Sequence, residues 1–291
     1  DAKTVTQPGV IMSMVAPFQK IAPEDIRRAA VYVAHQRVAL NYRMGHVLLA
    51  GDAAHMMPPF AGQALNAGVR DVANLAWKVA ANVRGTGTDA LVDTYAVERR
   101  PHAVEMVRLS ERIGKVVMNV NPTLTMLRDS AITALGIVPA AKNWLAGMKF
   151  LKQPHFTGGC TAVPAADVPR AAASLVGRSL SQPQVQLATG DTAALDTVLG
   201  AGWARLRFLP GGSIEIRQLG RTGHDGTAAV QVVDPTGAFA PLIGTGLVLL
   251  VRPDRYIAAV ATAAGEPDAL HALSAYAPEL TAAAPAAAQA G

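Results

Sequence analysis

The chain has 291 residues, 51% of them hydrophobic and 16% charged, which is ample for one large or two ordinary cores and excludes a disordered polymer. Its net charge of +5 comes from 26 scattered basic residues, and the densest run is Arg99-Arg100 between Glu98 and His102. That pattern argues against nucleic-acid binding and suits an anionic cofactor or a carboxylate substrate. The single cysteine, Cys160, excludes an internal disulfide or a CxxC redox pair and fits a reducing cytoplasm. No run reaches the roughly 18 to 20 apolar residues of a membrane span. The start at Asp1-Ala2-Lys3, without methionine or signal-peptide character, reads as a cut inside a longer protein.

In chain order, the β-branched and aromatic content of Ala30–Ala39 predicts a strand. Gly45–Asp52, a short apolar run closed by glycine, predicts a buried strand of an α/β sheet. After a proline-containing loop, Leu65, Val69, Val72, Ala76, Val79 and Val83 recur at spacings of four and three, the stripe of an amphipathic helix that stops at Arg84-Gly85. Asp89 caps a second helix to about Arg99, Pro101 suits the first turn of a third that runs to about Met118, and a fourth covers Thr123 to Leu135. Met118, Met126 and Met148 read as core or substrate-tunnel packing.

Pro154, Gly158, Gly159, Pro164 and Pro169 then mark a linker, which divides the chain into residues 1–155 and 156–279. The second part carries strand candidates at Gln184–Leu187, Ala204–Leu209, Ser213–Gln218, Ala228–Val233, Gly246–Val251 and Tyr256–Thr262, with helices near Asp191–Leu199 and Pro267–Ala277, a compact α/β module. The alanine-rich tail, 280–291, reads as flexible.

The chemistry concentrates in Gly51-Asp52-Ala53-Ala54-His55-Met56-Met57-Pro58-Pro59-Phe60-Ala61-Gly62-Gln63-Ala64-Leu65-Asn66, between a strand end and a helix start, where α/β proteins hold extended polar ligands. For a flavin each part has a task. Gly51 lets the cofactor approach the backbone, Asp52 accepts hydrogen bonds from ribityl hydroxyls, and Pro58 and Pro59 stiffen the wall beside the ring. The helix start at Gly62–Asn66 brings N–H groups and positive dipole toward the ring edge that becomes negative on reduction.

This stretch resembles the second flavin-binding motif of the p-hydroxybenzoate hydroxylase superfamily. Arg70–Lys78, Asp93-Thr94-Tyr95 and Glu98-Arg99-Arg100-Pro101 extend the likeness, and Met106–Ser110 with Phe156-Thr157-Gly158-Gly159 are most similar to the 3-(3-hydroxyphenyl)propanoate hydroxylase branch. Gly177–Leu180, Leu195-Asp196, Leu199-Gly200 and Arg252–Tyr256 resemble the thioredoxin-like C-terminal domain of phenol hydroxylase relatives. The resemblance implies an α/β fold, the C-terminal part of a class A flavin monooxygenase FAD/substrate domain (strands plus a helical bundle) followed by a thioredoxin-like module whose role is structural or in assembly.

It also implies FAD as cofactor, NADH or NADPH as reductant, O2 and a small phenolic compound as substrates, and compatibility with a homodimer. Gly51, Asp52, Pro59, Gly62, Gln63, Ala64, Leu65 and Asn66 border the cofactor, with Pro59 placed beside the reacting ring, while Tyr32 and His35 face the substrate. Two features depart from the pattern. Ala61 and Ala64 stand where glycine is common, so a methyl group meets the flavin there. No Gly-x-Gly-x-x-Gly for the pyrophosphate occurs: Gly85-Thr86-Gly87, Gly200-Ala201-Gly202 and Gly244-Thr245-Gly246 all lack the third glycine. The chain alone is therefore expected to hold FAD poorly and not to turn over.

Other candidates keep two readings each. His35 lines a pocket or is an ordinary core or surface histidine, and Arg43 reaches a phosphate or an acidic neighbour. His55, lacking partners at metal-ligand spacing, holds the loop by hydrogen bonds. Glu98-Arg99-Arg100 forms an interhelix ion-pair cluster. Beyond a hydroxylase fragment, the alternatives are a non-catalytic scaffold built on this fold and a polyketide-ring hydroxylase.

Overall fold

The computed structural model describes residues 2–148, 151, 153–220 and 229–281. The first half is helical: α1 (Ala2–Val5), α2 (Pro8–Val15), two short strand pairs, then α3 (Ala64–Val83), α4 (Asp89–Val117), α5 (Pro122–Ile137) and α6 (Pro139–Ala146). The strand pairs are β1 (Arg37–Val38) with β4 (His55–Met56), and β2 (Arg43–Met44) with β3 (Val47–Leu48), each antiparallel. After α7 (Arg170–Ala173) come β5 (Gln184–Leu187), β6 (Thr192–Ala194), α8 (Leu195–Leu199), β7 (Trp203–Phe208), β8 (Ile214–Leu219), β9 (Val230–Val233), β10 (Val248–Val251), β11 (Ile257–Ala261) and α9 (Glu266–Ser274). These strands form one sheet in the order β11-β10-β7-β8-β9-β5-β6, antiparallel at every pairing. No described helix is long and apolar enough to cross a membrane.

The expected sheet strands fall within one or two residues of the observed ones; Ala228 of one candidate, and 282–291 of the expected tail, lie outside the described residues. Five expectations for the helical half are corrected. Only Arg37–Val38 of the 30–39 stretch is strand, and the rest has no regular structure. Gly45–Asp52 is not a buried sheet strand: Val47-Leu48 forms a two-residue hairpin arm with Val47 exposed, and Gly51–Ala53 is a 3-10 turn. Among the described residues β2 is the one strand paired with Val47-Leu48, so the run lacks the strands on both sides that bury a central strand.

Pro101 does not start a new helix, because α4 runs unbroken through it. A proline in a helix interior costs about 3 kcal/mol. Buried residues on both sides, from Leu91, Val92 and Tyr95 to Ala103, Met106 and Val107, offset that cost by packing. Met118, Met126 and Met148 are exposed on the surface rather than packed in a core.

The fifth correction concerns α3. Its apolar stripe points outward, with Leu65 79%, Val69 60%, Val72 56% and Val83 80% exposed, whereas Ala67, Asp71, Asn74 and Lys78, also spaced four and three apart, are buried. The inward stripe is polar because its charges meet opposite charges on α4, the condition under which buried ions are tolerated.

Helices and sheet share one apolar cluster. Leu91 of α4 packs with Cys160, Trp203, Leu250 and Ala258, against Trp77 and Ala81 of α3, and the Trp77 and Trp203 rings meet edge-on at 5.8 Å. Leu91→Ala is expected to destabilise the chain by roughly 2–5 kcal/mol, as a buried leucine cavity does. Val69→Ala, on the exposed face, should stay within about 0.5 kcal/mol of the parent in the same urea unfolding measurement.

Candidate functional site

The loop between β3 and α3 is held from below. Gly51 takes φ +57, and its Cα faces Gly68 of α3 so closely that a Cβ on Gly68 would stand 3.4 Å from it. The two backbones touch because neither carries a side chain. Gly51 N–H donates to Asp71 Oδ2 at 3.1 Å, His55 Nε2 pairs with the same oxygen at 2.8 Å, and Arg99 Nε donates to Asp71 Oδ1 at 2.8 Å. The His55 and Asp71 side chains are wholly buried. Burial alone would raise the Asp71 carboxyl pKa, but the His55 hydrogen bond and the Arg99 charge outweigh it and hold the group below the usual range.

The outer end of the loop is also fixed. Met57 is buried against Ala67, Met106 and Val107. Pro58 is extended, Pro59–Ala61 makes one 3-10 turn, and Gly62 closes it at φ +60 with its N–H on the Pro59 carbonyl. Phe60 lies on Gly114 of α4, where any Cβ would stand 2.5 Å from the ring, so the loop tip sits in a notch that only glycine leaves open.

A second buried carboxylate stands one residue before Arg99. Glu98 accepts from Arg252 Nη1 and Nη2 at 2.7 and 2.8 Å, from Lys78 Nζ and Asn74 Nδ2 at 2.7 Å each, and from Cys160 N–H at 2.8 Å. Burial favours the neutral acid, yet the two cations bring the Glu98 pKa down to about 2. Burial first, and then Arg252, bring Lys78 down to about 8. Burial pushes the Cys160 thiol up to about 12, an inert group.

These clusters leave one side of the loop open. Asp52 is exposed in the turn beside α3. The α3 start has no side-chain cap and no acidic residue in its first turn, and the position a Gly62 Cβ would take has nothing within 4 Å. An exposed carboxylate in the turn beside a helix whose N-cap makes no side-chain bond, with open space at Gly62, suits a flavin: a hydroxylated chain for the first and an anionic ring edge for the second. Leu65 and Asn66 are exposed, Ala64 is half-buried and Gln63 is buried at the rim, and Asn66 Nδ2 returns to the Gly62 carbonyl at 3.4 Å.

The structure brings Gly51, Asp52 and the α3 start together. Tyr32 and His35 lie in the irregular stretch before β1 and are exposed, Tyr32 with 82% of its surface. Arg43 resolves to acidic neighbours, Asp89 and Asp93 at 2.9 Å each. Arg100 donates to the Ala39 carbonyl, while Glu98 and Arg99 make the expected interhelix pairs. Among the described residues no group of three His, Cys, Asp or Glu side chains suits a metal. Sequence reasoning missed Asp71 and Lys78 as anchors, although the Ala67-Asp71-Asn74-Lys78 spacing is as helical as the apolar stripe beside it.

Because the folded-state pKa values of Asp71 and Glu98 are depressed, their contribution to stability is complete above the unfolded carboxylate value near 4 and is lost as pH falls through the folded value. For Glu98 that window runs down to about 2. Thermal unfolding temperature should therefore drop between about pH 4.5 and pH 2, and Glu98→Gln should flatten that slope. Equal slopes in both proteins would show that Glu98 is not the group titrating.

Residues 16–110 match the family model described as FAD binding domain. The chain is 39% identical over 272 residues to a 3-(3-hydroxy-phenyl)propionate/3-hydroxycinnamic acid hydroxylase of Mycolicibacterium vanbaalenii, a match covering 86% of this chain and 47% of the relative. A like-named protein of Mycolicibacterium smegmatis is 38% identical, with 91% and 51% covered. The chain thus spans about half the length of the curated relatives it matches. Among solved structures it is similar to the anhydrotetracycline hydroxylase OxyS of Streptomyces rimosus, at 27% identity and a TM-score of 0.64, covering 93% of this chain and 53% of that one. The chain is thus similar to an FAD binding domain over residues 16–110 and, over most of its length, to hydroxylases of aromatic compounds.

Proposed function

We propose that this chain forms the ribityl- and ring-facing half of the FAD site of an aromatic-ring hydroxylase, one that draws electrons from NADH or NADPH and acts with O2 on a phenol resembling 3-(3-hydroxyphenyl)propanoate. The observation that carries this reading is the juxtaposition of exposed Asp52 with α3, whose N-cap makes no side-chain bond, held by the Gly51–Gly68 contact. FAD, when bound, supplies the oxygen chemistry. The Asp52 carboxylate accepts hydrogen bonds from ribityl hydroxyls and fixes the chain's direction. The backbone from Gly62 to Asn66, with Gln63, Ala64 and Leu65, lends N–H groups and helix dipole to the ring edge. Pro59, rigid above the Phe60–Gly114 notch, is a wall that excludes water from one face of the ring. Tyr32 and His35 come to the substrate side only if the stretch 27–36 folds over the loop.

The division into 1–155 and 156–279 belongs to the same reading, since Phe156 contacts the second part, its N–H donating to the Gly177 carbonyl and its ring stacking on Tyr256 at 4.1 Å. The sheet part is a thioredoxin-like module without redox cysteines, structural in role. A homodimer and a cytoplasmic location complete the proposal. Hydroxylation of a polyketide ring is the second reading, favoured by the likeness to the anhydrotetracycline hydroxylase structure but at lower identity than the hydroxyphenylpropionate relatives.

FMN carries the ring and ribityl chain without the adenylate, so it probes this half of the site. Titrated with FMN and followed by flavin fluorescence, Asp52→Ala should bind about 10- to 100-fold more weakly than the parent, the loss of one or two hydrogen bonds to a charged group. Unchanged affinity would remove the assignment. Phenol-stimulated NAD(P)H oxidation by the whole protein across a panel of phenols tests the substrate class.

A further inference from the structure

We propose that Arg252, in the sheet part of the chain, is a positioning residue for the flavin-facing loop, so that the sheet is a working part of the site. The proposal rests on the reading of that loop as a flavin site, but its test does not. Arg252 follows β10 directly, is fully buried, and lies 5.2–5.7 Å from the rings of Phe156, Trp77 and Tyr256. Its guanidinium holds Glu98 through two parallel hydrogen bonds and Asp254 through two more. Asn74 Nδ2 donates to both carboxylates, at 2.7 and 3.2 Å, so the two acids converge on one amide of α3. Without Arg252 they would face each other with Lys78 as the remaining cation in direct contact with Glu98.

The consequence travels along α3. Glu98 grips Asn74 and Lys78, and the next residue, Arg99, grips Asp71, so neighbouring side chains of one α4 turn hold three positions on the buried stripe of α3. Asp71 in turn holds Gly51 and His55. A rotation of α3 that relieves the stranded carboxylates carries Asp71 with it, and the Gly51–Gly68 backbone contact leaves no slack to absorb the movement. The tie between sheet and loop is therefore two sets of buried or part-buried, charge-assisted bonds, each 3.2 Å or shorter, joined through the adjacent α4 residues Glu98 and Arg99.

Amide hydrogen exchange on the chain as it stands, with no flavin added, tests this. Arg252→Met should speed exchange at Gly51 and through residues 49–58 by about tenfold or more while the β7 and β8 amides keep their protection. Arg252→Lys, which keeps a cation, should restore most of the loop protection, and Arg255→Gln, which breaks a surface pair with Asp196 in the same sheet, should leave the loop unchanged. Unchanged loop exchange in Arg252→Met, or an equal rise across β7, β8 and the loop, would overturn the proposal. If Arg252→Met does not fold, Arg252→Gln, which keeps an amide donor but no cation between Glu98 and Asp254, must show the same selective rise. A responsive loop in a chain that fails to bind FMN would sink the flavin reading and leave the coupling standing.

Discussion

Asp71 has no exposed surface and receives three partners, the Gly51 amide, His55 and Arg99. A lone carboxylate in that position would cost several kcal/mol in desolvation. With an arginine and two further polar partners the charge is retained, and the helix that carries it can turn its polar stripe inward. The loop, α3 and α4 are then tied together, and the exposed carboxylate of Asp52 comes to lie beside a helix whose N-cap residue, Gln63, makes no side-chain cap hydrogen bond. The site is thus shaped by what is buried beneath it rather than by the groups that would meet the ligand.

Much of this was legible in the residues. The Gly51–Asn66 loop is a contiguous run, so its glycine, carboxylate, prolines and helix start are read directly, and the sheet strands other than β6, whose residues were expected to open the helix at 191–199, follow from their short β-rich segments. The helix limits of α3 and α5 also follow from periodicity and from proline and glycine signals. The face of α3 did not, because two stripes of equal spacing run along it and a spacing rule cannot say which of them finds a partner. The deciding partners lie far away in sequence, Asp71 to Arg99 across 28 residues and Glu98 to Arg252 across 154. The helix break expected at Pro101 failed for a related reason: the packing of ten or so buried neighbours is invisible locally, whereas the missing N–H is not.

The outward apolar stripe of α3, the short hairpin in place of a sheet strand, and the exposed Tyr32 and His35 all fall in the same half of the molecule. They accompany a match to about half the length of the relatives. The sheet, in contrast, has a dense core of its own, from Val185 and Leu195 through Phe208 to Leu249, and meets the helices through Leu91, Trp203 and the Glu98–Arg252 pair. Apolar packing and a buried ion pair act together at that junction, the first supplying stability and the second fixing register.

The account depends on Asp52 and the first turn of α3 serving one and the same ligand. A crystal structure of the chain soaked with FMN decides this most directly. The account predicts ribityl hydroxyls within hydrogen-bond distance of the Asp52 carboxylate and the ring edge over the N–H groups of residues 64–66. A flavin bound elsewhere, or side chains packed into the space beside Gly62, would contradict it.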